Sequence, residues 1–338
     1  MATTFKNLST NDVVSTRTLL NEAIPLTGTL FSGTYSNNNI KNYSHGMFQS
    51  VYDYPYLSSS ANHIVDMTFG FHASSALSGT SGTQTSKKIN IYNQMAQMLV
   101  GYDATGSIMM FDRDGNIAGG GAKHGELFFF NFSRLLTKDE IKKGSFSTSF
   151  MTGAWSTVSA GTYFTVYDAN AQNDYRINSP AGEYGLLYSN SSGTGNPVGL
   201  LYYQAGIAAV NPGLIFNSAN YSGSVGRTAI LTGSTIEANM DVLRARIANI
   251  SFNNTTELNS TVYFCRASHN EFNYSSNPTY LSSSKMVVKN TSTDMPASYI
   301  TTVGLYSADN ELLAVAKTSE PLKKDPTNEL TLRVRLDY

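Results

Sequence analysis

The sequence predicts a mainly β fold with a minor α component: a mixed α+β part over residues 1–150, then an antiparallel β-sandwich over residues 151–338. Three observations carry this. Charged residues are only 14% of the 338-residue chain, and Ser, Thr, Asn, Gly and Tyr supply the remaining polarity. Those residues build turns and strand faces rather than solvated helices. The aromatic content is 21 Tyr and 17 Phe against one Trp, which suits strands and broad contact surfaces. The cleanest hydrophobic periodicity, near the C-terminus, has period 2.

Along the chain, residues 9–23 read as an early helix. Ser9 or Thr10 can cap it, Val13, Val14, Leu19, Leu20 and Ala23 form an apolar stripe, and Pro25 stops it. Residues 62–71 read as a strand, with Tyr52, Tyr54 and Tyr56 before it and loop chemistry over 74–84 after it. Residues 86–100 are the best helix, with apolar residues at 89, 92, 95, 96 and 99 and Gly101 as the stop. A hairpin is expected around Asp112-Arg113-Asp114-Gly115-Asn116, flanked by Ser107–Phe111 and Ile117. Residues 126–132 are a buried strand. Thr137-Lys138-Asp139-Glu140 is a capping box for a short helix that closes at Gly144.

Beyond residue 145 strands and turns dominate, with 162–167, 185–188 and 198–203 as successive strands. Residues 236–247 read either as a helix or as the start of a strand. In 329–338, Leu330, Leu332, Val334 and Leu336 alternate with Thr331, Arg333, Arg335 and Asp337, the pattern of a half-buried antiparallel strand. Segments 260–267 and 299–306 alternate similarly. Residues 299–317 form a hairpin that turns at Ala308-Asp309-Asn310.

No motif points to chemistry. In Asp112–Asn116 the glycine stands at the wrong position for a calcium loop, so a turn is expected. Gly119-Gly120-Gly121-Ala122-Lys123-His124-Gly125 has a phosphate loop's glycines but runs into a strand. The histidines 45, 63, 72, 124 and 269 lack metal-ligand spacing; His63 and Asp66, three apart on a strand, are expected on opposite faces. No nucleophile elbow occurs. Cys265, the single cysteine, is expected to be a buried inert thiol, and no intrachain disulfide is possible. These readings call for no catalytic residue, no cofactor and no metal. A net charge of −1 argues against nucleic acid as a partner. No leader pattern opens the chain, and no apolar run is long enough for a membrane span. Neither a membrane nor a small-molecule substrate is therefore an expected partner.

One resemblance is sharper. The stretch Tyr299-Ile300-Thr301-Thr302-Val303-Gly304-Leu305-Tyr306, its turn, and Leu312-Leu313-Ala314-Val315-Ala316-Lys317 resemble the hairpin of tailed-bacteriophage virion proteins, including tail-collar and baseplate proteins. Asn270–Tyr280, Arg333–Tyr338 and Pro197–Ala208 are similar to segments of structural proteins of T4-like and cyanobacterial myophages. The resemblance implies a non-enzymatic subunit of a contractile-tailed particle, in the baseplate or nearby. It would be assembled in the host cytoplasm into the virion, as a homo-oligomer among other virion structural proteins. A receptor- or glycan-binding tail-fibre or adaptor module is the alternative, with Tyr52, Tyr54 and Tyr56 as sugar-stacking rings. The expected assembly contacts are Phe272, Asn273, Tyr274, Tyr280 and Tyr306. Asn270–Tyr280 is expected to be an ordered, hydrogen-bonded loop.

Overall fold

The computed structural model describes residues 5–32, 37–79, 82–117, 120–151, 163–215, 231–275, 281–282, 285–286 and 297–338. The described residues are mainly β, with 46% strand and 17% helix. The strands are β1 (Val13–Thr27), β2 (Ile40–Asn42), β3 (Gln49–Tyr52), β4 (His63–Phe71), β5 (Glu126–Phe132), β6 (Glu140–Ile141), β7 (Ser147–Met151), β8 (Tyr163–Tyr167) and β9 (Tyr175–Ser179). There follow β10 (Gly182–Leu187), β11 (Gly199–Tyr202), β12 (Ile207–Val210), β13 (Ile247–Ala267), β14 (Leu281–Ser282), β15 (Lys285–Met286), β16 (Ser298–Tyr306), β17 (Leu312–Lys324) and β18 (Leu330–Asp337).

Two compact units result. The larger is Leu20–Thr256; the smaller joins Met1–Leu19 to Glu257–Tyr338. No division falls at residue 150. Strand β5 pairs with β12 across that point, Phe128 opposite Val210 and Asn131 opposite Ile207, within one sheet. Layered sheets are therefore not confined to the C-terminal half.

The larger unit is organised by an antiparallel sheet of order β2-β3-β4-β5-β12-β11-β10-β9. Its centre, Leu127-Phe128-Phe129-Phe130, is buried on both faces. On one face Phe129 meets Phe111, which meets Tyr92 of the helix Thr85–Leu99. On the other, Phe130 meets Phe150 of β7, and Phe132 meets Phe146 and Phe252. The Thr85–Leu99 helix ends as its sequence dictates. Gly101 takes φ +93° and donates to the Ala96 carbonyl at 2.9 Å. Gly70 lets the helix lie against the strand, since a Cβ there would stand 2.7 Å from the Tyr92 nitrogen.

Three elements differ from expectation. Residues 13–27 are a strand, not a helix. Val and Thr favour extended backbone, and pairing with β13 supplies its hydrogen bonds. Pro25 is tolerated because β1 ends the sheet path. Ser9 does stand at a helical start, its amide and hydroxyl donating to the Asp12 carboxylate, but it opens only a single turn over Thr10–Asp12. The second capping box fails: the short helix is Arg134–Thr137, ended by Lys138 at φ +55°, and Glu140–Ile141 pairs with β13. Asp112–Asn116 turns as expected, Asp112 accepting from the Asp114 and Asn116 amides at 3.0 and 3.1 Å. Its flanks pair antiparallel at Asp112–Lys123, with the Arg113 amide donating to the Ala122 carbonyl at 3.0 Å and the His124 amide to the Phe111 carbonyl at 2.9 Å, so the returning side lies beyond the expected Ile117. Residues 236–244 are helix, capped by the Thr235 hydroxyl.

In the smaller unit β18 pairs β13 antiparallel, from Ser260 opposite Asp337 to Ala267 opposite Leu330. The alternation expected over 329–338 is present, with Val334 buried and Thr331, Arg333, Arg335 and Asp337 exposed. Strands β16 and β17 form a two-stranded sheet, turning through Asn310 at φ +63°. The two short strands β14 and β15 pair with each other.

Candidate assembly surface

The two units are built differently. Among the described residues, the contiguous hydrophobic core runs from Leu26 to Phe252 and lies entirely in the larger unit. The smaller unit buries only Val262, Ala267, Ala297 and Val334 among its described apolar residues. It leaves Phe5, Phe272, Tyr274, Tyr299, Tyr306, Leu312, Leu313 and Val315 exposed. This is a large exposed apolar content for one small unit.

These side chains are not scattered. A cleft of about 780 Å³ runs through the smaller unit. On one side it is lined by Tyr263, Cys265 and Ala267 of β13 and by Leu332 and Leu336 of β18. On the other lie Tyr299 to Tyr306 of β16, with Leu313. The arm Phe5–Leu8 and the loop residues Phe272, Tyr274 and Ser275 complete it. The Phe5 ring meets Tyr306 edge-on at 4.8 Å. The cations of the arm and wall are matched: Lys6 pairs with Glu271, and Arg266 with Asp12 at 2.8 Å. The cleft thus combines aromatic and aliphatic side chains with hydroxyls such as Ser298, Thr301 and Thr302, and the two charges of its arm and wall are paired.

Of the loop expected over Asn270–Tyr280, the part up to Ser275 is described, and there the segment that presents Phe272 is held by hydrogen bonds. Lys324, fully buried at the end of β17, donates to Asn273 Oδ1 at 2.7 Å, to the His269 carbonyl at 3.3 Å and to the Asp325 carbonyl at 2.9 Å. Asn273 Nδ2 donates to the His269 carbonyl at 2.8 Å, and the Ser298 hydroxyl donates to the Phe272 carbonyl. Phe272 is held at φ +56°, a region that costs an aromatic residue on the order of 1–3 kcal/mol. The hydrogen bonds over-determine that conformation and aim the ring at the cleft.

Of the five expected contact residues, Phe272, Tyr274 and Tyr306 line the cleft, and Asn273 lies beneath, holding the loop. Tyr280 lies outside the described residues. Phe5, Tyr299 and Leu313 were missed. The signal for Leu313 was the adjacent pair Leu312-Leu313, which breaks strict alternation and sits at a register shift between Leu305 and Tyr306. Cys265 is half-buried on the cleft wall rather than enclosed. Burial, and then the Asp12 carboxylate, push its thiol up.

In the larger unit His63 and Asp66 do not point apart: His63 Nε2 lies 2.8 Å from Asp66 Oδ1. A register shift between Val51 and Tyr52 lets His63 rejoin the face of Asp66. The Ser50 hydroxyl donates to the same oxygen and lies 3.2 Å from the Tyr43 hydroxyl. Ser50 therefore bonds the carboxylate rather than the imidazole, which is not the serine–histidine contact that activates a nucleophile. Tyr52 packs edge-on against His63, and Tyr54 is exposed. His124 is enclosed, and burial pushes it down to about 3. No group of His, Cys, Asp and Glu able to hold a metal occurs among the described residues. No helix among them is long and apolar enough to cross a membrane.

Compared with known proteins, the chain matches no family model, no curated protein and no solved structure.

Proposed function

We propose that this chain is a non-enzymatic structural subunit of a tailed-phage particle, in the baseplate of a contractile tail, acting through subunit contacts. The observation that carries the assembly part of this reading is the smaller unit: four buried apolar residues, a cleft and a strained loop that displays Phe272. Among its described residues such a unit buries little apolar surface of its own, and a neighbour covering the cleft would add to it. The phage part rests on the resemblance of the β16–β17 hairpin and the last strand to virion proteins.

The test is quantitative mass spectrometry of purified parent particles and of baseplates isolated from them. The chain should be present at a fixed copy number in both. Its absence from purified particles would sink the reading.

A second reading, a glycan-binding module, draws on the Tyr43, Ser50, Tyr52, His63 and Asp66 cluster on the larger unit. There a half-exposed carboxylate sits among hydroxyls and aromatic rings. Saturable binding to a glycan array that Asp66→Ala abolishes would favour it. An array with no bound glycan would remove it.

A further inference from the structure

We infer that the occupant of the smaller unit's cleft is a second copy of this same chain. This rests on the assembly reading above and goes further by naming the partner.

Size is the first argument. The exposed fractions of Phe5, Phe272, Tyr274, Tyr299, Tyr306 and Leu313 run from 41% to 68%. With side chains of this size they expose roughly 650 Å² in all, tyrosine hydroxyls included, close to the about 800 Å² per partner of a stable interface. A small ligand does not need a face this large; a protein does.

Charge is the second argument. The smaller unit carries ten Lys and Arg against ten Asp and Glu, a net charge of zero. The ion pairs Lys6–Glu271, Arg17–Glu257 and Arg266–Asp12 are all internal to it. Two copies of the unit therefore approach without net repulsion, whereas a strongly acidic or basic partner would gain nothing from its net charge.

Shape is the third. The same unit carries both halves of a contact. One is the cleft. The other is a hairpin whose Leu312 and Val315 are about half exposed and lie outside the cleft wall. An isolated two-stranded hairpin is marginal in water, and among the described residues β16 and β17 pair only with each other. A neighbouring copy that seats this ridge in the cleft region stabilises the hairpin and covers both surfaces at once.

The test is sedimentation equilibrium of the purified full chain at ~1–100 μM, the range in which interfaces of this size associate. It is made with the wild type, with Leu313→Asp and Tyr299→Asp, and with Leu57→Asp as a control on an exposed residue of the larger unit. A multiple of the 36.7 kDa chain mass is expected, with dissociation at least tenfold easier in both cleft variants and unchanged in the control. Far-UV circular dichroism identifies a variant that has merely unfolded, and Tyr299→Ala then takes its place. A wild type that stays monomeric, or an oligomer that both cleft variants leave intact, overturns the inference. A monomer that still joins isolated tail components, in a complex lost in Leu313→Asp, overturns the second copy alone. A monomer that ignores those components counts against both readings.

Discussion

Replacing Asp168 by Asn should make the protein more stable at pH 8 and flatten its pH dependence. Asp168 is 1% exposed. Its carboxylate accepts from the Gly144 amide at 2.9 Å and from the Tyr203 hydroxyl at 3.3 Å. The nearest cation, Lys143, is engaged with Glu183 and Glu140. Burial dominates and pushes the carboxyl up to about 7 from the usual 3.8. Below about pH 4 both folded and unfolded chains hold this proton. Between about pH 4 and 7 the folded chain keeps it while the unfolded chain releases it, so stability falls as pH rises. Three pH units at about 1.4 kcal/mol each give a loss of at most about 4 kcal/mol by pH 8. An Asn at this position can accept from the Gly144 amide and donate to the Tyr203 oxygen, so it fits without the charge. Urea unfolding followed by circular dichroism at pH 5 and pH 8 measures both proteins. The wild type should lose stability between the two pH values, and because only the part of the window from pH 5 to about 7 falls between them, the variant should lose less by up to about 2.7 kcal/mol. Parallel profiles would refute the reasoning.

Two further substitutions probe the larger unit. Lys88→Met keeps the aliphatic stem but removes an ammonium that donates to the Leu231 and Ser234 carbonyls at 2.6 and 2.8 Å. At pH 10, where the folded wild type holds a neutral amine, it should cost about 1–3 kcal/mol in urea unfolding, from the two carbonyls left without their donor. Burial lowers Lys88 to about 8, so wild-type stability should rise between about pH 8 and 10.5, where the unfolded chain alone holds the proton; the variant should lack that rise. Gly70→Ala drives a methyl to within 2.7 Å of the Tyr92 nitrogen and 2.8 Å of the Lys88 carbonyl. Backbone must move, so the melting temperature should fall by an amount equivalent to about 1–3 kcal/mol.

The sequence was readable where local preference and burial agree. Strand β5 is apolar at nearly every position, and the helix Thr85–Leu99 has both its stripe and its terminal glycine. The β16–β17 hairpin has a turn residue, Asn310, that tolerates positive φ. Reading failed where a distant partner decides. Val13–Thr27 has helical apolar spacing, yet nearly all of it is exposed. It is a strand because β13, more than two hundred positions later, offers an edge. His63 and Asp66 meet through a register shift that no local pattern encodes. The cleft was half legible: Phe272, Tyr274 and Tyr306 stood out as aromatics in polar surroundings, whereas the shortage of core around them appears only once burial is known.

The order of pairing in the large sheet sets a schedule for synthesis. Strand β4 precedes β5 and can cover one edge of Glu126–Phe132 as soon as that segment emerges. The other edge waits for β12, whose residues 207–210 lie more than seventy positions downstream. At the usual pace of translation this is a wait of roughly 4–15 s. For that interval the ribosome holds an apolar seven-residue strand with one bare edge, the kind of segment that recruits chaperones or seeds aggregates. The yield of soluble protein should therefore depend on how fast residues 133–210 are translated, and slow codons placed there should lower it.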